Sequence, residues 1–397
     1  MMNTGQNIIN TDKKQIGMYV HIPFCVRKCS YCDFLSAPAD ELTKQRYAEA
    51  LIEEIRLMPR IKGGEYALKS IFFGGGTPSV LNPELTAGIL KEILLHYAEC
   101  FDSGAYLENS IECNPGTVTE ESLRIYKEAG FNRLSFGLQS AVNDELAAIG
   151  RIHTWEDFVK SFEAAREAGF DNINADLMFG LPGQTMGSFR TTLERVCALH
   201  PEHISAYSLI LEDKTPLAAR IREEEERGIC RLPDENTERE MYYMACEILQ
   251  SCGYTQYEIS NFALDGRESL HNLSYWECRE YLGFGIGAAS NFGNTRYKNT
   301  SSLEKYLNRE FADKEETEYL TLNDRMSEFM FLGLRKTKDG ISKAEFEQRF
   351  KRNYDSIFGS VTKEYADKGL LTDCGNTVAL TRRGIDVSNI VMADFLL

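Results

Sequence analysis

The sequence is short of positive charge: 44 Lys and Arg stand against 60 Asp and Glu in 397 residues, a formal net charge of −16 with pI near 5.0. No basic stripe offsets that balance, so a phosphate backbone would be repelled and nucleic acid is excluded as a partner. Also missing is any run of about 18 apolar residues, the length a membrane-spanning helix needs. The N-terminal MMNTGQNIINTDKKQ lacks the apolar centre of a secretory signal, and residues 1–15 read as a flexible polar tail. A cytoplasmic protein without a membrane span is expected. What the chain does hold is cysteine, 11 in all. An odd number scattered over a long chain argues against a disulfide framework and for reduced thiols. Only Cys25, Cys29 and Cys32 cluster; the remainder read as small core or surface residues.

With 43% hydrophobic and 26% charged residues, the chain can bury a large core. From Ile16 onward, short apolar runs alternate with amphipathic stretches of about a dozen residues, the pattern of βα units feeding a parallel sheet. Strands are predicted at 16–22, 69–74, 109–114, 133–138, 172–178 and 203–209, with helices at 41–59, 83–99, 119–129, 154–168 and 185–199. Gly130 and Gly169 fall where two of those helices should be capped. Six such units can curl into an incomplete parallel barrel or lie open as a doubly wound sheet, and periodicity does not choose. After Leu209 come an acidic helical insert (EEEERG, 223–228), a long helix at 235–251 and the glycine-rich YLGFGIGAAS at 281–290. The first domain is placed at 16–305. A smaller mixed helical domain with a short wing-like hairpin is placed at 310–397.

The chemistry gathers at the strand ends. HIPFCVRKCSYCDF sets Cys25, Cys29 and Cys32 in C-x3-C-x2-C just after the first strand. Three thiolates from one loop can hold three irons of a 4Fe-4S cubane and leave the fourth open. A closed zinc site would want a fourth ligand, from an aspartate or His21. The second strand ends in Gly74-Gly75-Gly76-Thr77-Pro78-Ser79, where residues without Cβ let backbone approach a polar ligand. Glu112, Gln139 and Asp176 lie at or near later strand ends, with Arg151 beyond the fourth. A buried carboxylate is costly unless it meets a partner, so one shared ligand cleft accounts for them together, and salt bridges or caps account for them singly.

The C-x3-C-x2-C spacing with an aromatic, Tyr31, before its last cysteine resembles the radical S-adenosylmethionine superfamily. That resemblance implies an incomplete (β/α)6 barrel, methionine chelating the open iron, and reductive cleavage of the sulfonium bond to a 5'-deoxyadenosyl radical. YVHIPFC, GGGTPS and the D-L-x-x-G-L-P-x-Q-T run at 176–185 are similar to the anaerobic coproporphyrinogen oxidase family. Carried over by motif, Tyr19, Gly75, Glu112 and Ala289 match contacts to the cluster-bound S-adenosylmethionine. Tyr31, Gly76, Thr77, Gln139, Arg151, Asp176 and Ser208 match contacts to a second molecule.

One departure matters. The oxidase has a cysteine two residues after the third cluster cysteine, and here that position is Phe34. Cys32-Asp33-Phe34 resembles the HemW-type haem chaperones instead, and His271-Asn272-Leu273-Ser274-Tyr275-Trp276 matches their HNxxYW motif. The resemblance implies haem binding, with His271 as an axial ligand, and delivery to an acceptor such as a respiratory haem protein. A flavodoxin or ferredoxin is implied as electron donor only if the cluster is reduced in function. His271 is read in a loop beside Tyr275 and Trp276, and the bland reading of the motif is a hydrogen-bonded histidine and a tryptophan filling the seam between domains. The alternative activity is that of an oxygen-independent coproporphyrinogen III dehydrogenase. A zinc-stabilised binding protein leaves the strand-end residues unexplained.

Overall fold

A computed structural model describes residues 13–101 and 105–397, so most of the tail expected over 1–15 lies outside the described residues. Seven strands form a parallel core in the order β9-β1-β2-β3-β4-β5-β6. These are β1 (Lys14–Ile22), β2 (Tyr66–Gly75), β3 (Glu108–Cys113), β4 (Arg133–Gln139), β5 (Ile173–Phe179), β6 (His203–Ser208) and, late in the chain, β9 (Glu280–Phe284). The short β7 (Thr255–Gln256) and β8 (Asn261–Ala263) add antiparallel to β6. At the other edge β10 (Ala289–Phe292), β11 (Thr295–Asn299) and β12 (Lys314–Tyr319) run antiparallel. The two edges, β12 and β7, do not pair, so the curled sheet is an incomplete barrel.

Helices cover the outer face: α1 (Glu41–Leu57), α2 (Pro83–His96), α3 (Glu120–Ala129), α4 (Asn143–Ala148), α5 (Trp155–Glu167) and α6 (Met186–Cys197). Their starts are chemically specified. Asp40 caps α1 by accepting from Thr43 N–H at 2.7 Å, and Thr119, Thr154 and Thr185 form reciprocal capping boxes on α3, α5 and α6. Gly130 closes α3 at φ +108°, as its place after KEA predicts. Side chains alternate along each strand. In β1, Ile16, Met18, Val20 and Ile22 are buried in the apolar core, while Tyr19 and His21 face the ligand side.

Four differences from the sequence reading have physical causes. Strand β1 begins at Lys14, inside the expected tail, because Lys14 and Gln15 already pair with Tyr66 and Ala67. The six-residue α4 is too short to show a helical period. The glycine-rich 281–290 segment supplies β9, paired in parallel with β1. Strand β12, placed by sequence in the C-terminal unit, is hydrogen-bonded to β11 of the large sheet. Beyond it a second core runs from Met326 to Phe395, with a three-stranded antiparallel sheet that contains the expected hairpin Leu371–Asp373/Thr377–Leu380. Among the described residues no helix is long and apolar enough to cross a membrane.

Candidate functional site

The loop after β1 carries the three cysteines and is pinned from several sides. Gly76 N–H donates to Ile22 O at 2.8 Å and Thr77 N–H to Phe24 O at 2.7 Å, tying the loop to the end of β2. Ser30 N–H donates to Ile149 O at 3.2 Å and Arg27 Nη2 to Gly150 O at 2.9 Å, tying it to the segment after α4. A Cβ on Gly76 would lie 2.6 Å from Phe24 O, and one on Gly75, at φ +108°, would lie 2.4 Å from the His21 ring. The glycines therefore serve close packing of loop on strand as well as ligand approach.

Cys25, Cys29 and Cys32 line one cavity of about 120 Å³, together with Tyr31, Gly75, Gly76, Thr77, Glu112, Gln139, Arg151 and Asp176. Cys25 Sγ accepts from Thr77 Oγ1 at 3.5 Å, and Cys29 Sγ accepts from Arg151 Nη1 at 3.5 Å. Arg151 is itself fixed by Asn114 Oδ1 at 2.7 Å and by Gly137 O. Burial works against its charge, but the Tyr31 hydroxyl and the Cys29 sulfur hold its pKa up. Burial pushes the Cys32 thiol up. Among the described residues no three His, Cys, Asp or Glu side chains are gathered about one metal-sized point. The three thiols line one space, as ligands of a multi-iron cluster must. His21 offers no fourth ligand: its Nδ1 meets Tyr19 OH at 3.0 Å and its Nε2 meets Leu35 O at 2.9 Å. Donors on two of the sulfurs, with His21 engaged elsewhere, fit a site-open cubane.

Glu112 is the electrostatic outlier. Burial, and then the Asp176 carboxylate, push its pKa up to about 8, while its Oε2 accepts from Gly75 N–H at 3.1 Å. Burial also raises Asp176, whose oxygens accept from Asn174 Nδ2 at 2.8 Å and Ser135 Oγ at 3.1 Å. Two neighbouring carboxyls, both raised by burial, are suited to a ligand group that donates hydrogen bonds.

The remaining expectations divide. Tyr19 lines a second, deeper chamber that shares Glu112, Ser135 and Asp176 with the first. Ser208 is not brought to either. It points outward and donates to Glu238 Oε1 on the helix Glu235–Ser251, because strand alternation turns Ser205 and Tyr207 inward in its place. Ala289 opens β10 beyond the glycine turn and lines neither space. His271 is not in a loop. It sits on the helix Leu270–Trp276 inside the curled sheet, 2% exposed, with Nδ1 at 3.0 Å from Ser70 Oγ and Nε2 at 3.0 Å from Tyr275 OH. Burial, then Arg133, depress its pKa to about 3, so it is neutral. Iron ligation by Nε2 would require the Tyr275 hydroxyl to leave. Trp276 lies at the seam under Arg335, 4.4 Å from ring centroid to guanidinium, as the bland reading has it. Residues missed by sequence are Asn114, Arg133, Ser135, Asn174, Ser205 and Tyr207, all facing inward. The signal was there in RLSFGLQ, whose alternate residues Arg133, Ser135, Gly137 and Gln139 share one face.

The profile of the radical SAM superfamily matches residues 19–196, and that of the HemN C-terminal domain matches 320–387. The chain is 41% identical over 387 residues to the Bacillus subtilis protein named heme chaperone HemW, covering 95% of this chain and 98% of that one. It is 38% identical to the Lactococcus lactis protein of the same name, over 97% of this chain and 98% of the relative. Among solved structures, coproporphyrinogen III oxidase (HemN) from Escherichia coli superposes with a TM-score of 0.80 at 24% identity, covering 97% of this chain and 91% of that one. That last likeness concerns the fold alone.

Proposed function

The chain belongs to the heme chaperone HemW family of radical SAM proteins, and from that premise we propose that it binds a 4Fe-4S cluster, S-adenosylmethionine and haem, and passes haem to an acceptor protein. The observation that carries the cofactor part is the single cavity onto which Cys25, Cys29 and Cys32 and the strand-end groups Glu112, Gln139, Arg151 and Asp176 converge. Bound there, a reduced cluster supplies the electron that cleaves the sulfonium bond. The protein's own groups would bind and orient: Thr77 and Arg151 donate to the Cys25 and Cys29 sulfurs that would hold the cluster, and Glu112 would accept from the amino group of the methionine moiety once it loses its proton. Phe34, 67% exposed at the mouth, stands where the oxidase has cysteine, and this supports a chaperone over a coproporphyrinogen III dehydrogenase. A cytoplasmic setting, an acceptor among respiratory haem proteins, and flavodoxin or ferredoxin as electron donor belong to the same proposal.

His271 is proposed as the haem-facing residue of the HNxxYW motif, acting from the chamber wall after Tyr275 moves. Titration of haem into the His271→Ala variant should show affinity lowered about tenfold or more, with cluster iron unchanged. Unaltered haem affinity would place the ligand elsewhere.

Gly76→Ala offers a local check of the site's construction. The added methyl must displace backbone at Phe24, so iron incorporation should fall severely while the remainder of the chain stays folded. Full iron loading would show that the loop is not clamped as described.

A further inference from the structure

Below the cluster cavity, the sheet encloses the second chamber, about 180 Å³ in volume. Its floor holds Arg133, the first residue of β4, only 2% exposed. Among the described residues this guanidinium makes neither a hydrogen bond nor an ion pair, and its Nε is buried with no partner. Leaving a cation so placed without compensation costs several kcal/mol, and a methionine or leucine would fill the volume at no such cost.

The neighbours do not supply the missing anion. Glu112 and Asp176 border the chamber and feel the Arg133 charge, but neither comes within ion-pair distance of it, and burial, the larger effect, drives both toward the neutral form. His203 and His271 are neutral, each with both ring nitrogens engaged: His203 with Asn174 Oδ1 at 2.6 Å and Tyr257 OH at 2.8 Å, His271 with Ser70 and Tyr275. Tyr207, Tyr275 and Asn272 bring neutral polar groups to the same space, while the Tyr19 hydroxyl is already engaged by His21. A planar fork of donors walled by phenols is a carboxylate receptor. Tyr207, 39% exposed, is the most open of its lining residues.

We propose that this chamber binds a carboxylate on Arg133, and that the carboxylate is a propionate arm of haem. With Tyr275 in place the volume admits a short arm and not a whole macrocycle, since pockets that enclose drug-sized molecules run from about 300 Å³ upward, and approach of the ring iron to His271 requires the displacement of Tyr275 described above. The identity of the carrier rests on the chaperone reading; the carboxylate site does not.

The test compares haem, haem dimethyl ester and free propionate on the reconstituted full chain, as wild type, Arg133→Met and Arg133→Lys. Wild type should bind haem about tenfold or more tighter than the ester, a charge-assisted pair being lost on esterification. Arg133→Met should bind acid and ester alike, and Arg133→Lys should keep part of the preference. Since Arg133→Met removes an unpaired buried charge, unchanged circular dichroism and iron content are expected of it. Equal affinity of wild type for acid and ester overturns the haem arm. If wild type binds no haem at all, the chaperone reading fails, and propionate decides the chamber alone. A rise in melting temperature with propionate that Arg133→Met lacks would keep the receptor and assign it a free carboxylate, whereas no rise overturns the site.

Discussion

Replacing any one of Cys25, Cys29 and Cys32 with alanine should remove nearly all cluster iron, measured as iron and sulfide per chain after anaerobic reconstitution, together with the brown absorbance. The loop that carries them is held to β2, to the segment after α4 and, through Leu217 N–H to Ser30 O at 2.8 Å, to the helix Pro216–Glu226. It has little freedom to offer a substitute. A rescuing thiol is present in principle, because Cys113 lines the same cavity. It is 2% exposed on β3, packed into the apolar core with burial pushing its thiol up to about 12, and so is poorly placed to stand in for a cysteine of the loop. A variant with full iron content would refute the ligand assignment.

The second large effect is expected at Glu112. With its pKa raised to about 8, the carboxyl is protonated at neutral pH in the ligand-free protein, and it accepts strongly from an amino N–H only after that proton leaves. Affinity for S-adenosylmethionine should therefore climb as pH rises through about 8. Glu112→Gln should weaken binding about tenfold or more above that pH and abolish the pH dependence. Stability moves the opposite way. Because the folded pKa lies above the unfolded value near 4.3, folding favours the protonated form, so Glu112's contribution is fully present at low pH and is lost as pH rises from about 4.3 through about 8. Thermal midpoints at pH 5, 7 and 9 should fall more steeply for wild type than for Glu112→Gln. Parallel curves would show that Glu112 ionises normally.

Much of this arrangement was legible in the sequence, for identifiable reasons. The barrel strands have a two-residue alternation under outer helices whose Thr and Asp caps mark their starts, so six βα units could be placed to within a few residues. The cysteine spacing is local, and one loop suffices to fold it. The failures share a cause. Motifs mark strand ends without saying which face a side chain takes, so Ser208 was selected where its neighbour Tyr207 faces the chamber. Arg133 reads as an ordinary charged residue at the start of a strand, and only the folded barrel shows it buried without a partner. His271 was read as a loop residue because seven residues, LHNLSYW, are too few to show a helical period; Glu108 completes that helix from β3 by accepting from Leu270 and His271 N–H at 3.1 and 3.2 Å. A long-range cap of this kind has no local signature.

The measurement that bears most directly on the account is anaerobic. The reconstituted protein is given S-adenosylmethionine, reductant and either coproporphyrinogen III or haem, while tetrapyrrole products, 5'-deoxyadenosine and Soret absorbance are followed together. Stoichiometric haem uptake, diminished in His271→Ala, with no decarboxylation of coproporphyrinogen III, is the result expected of a chaperone built on this barrel. Protoporphyrinogen formed in step with 5'-deoxyadenosine would contradict it and show that Phe34 does not bar the oxidase reaction.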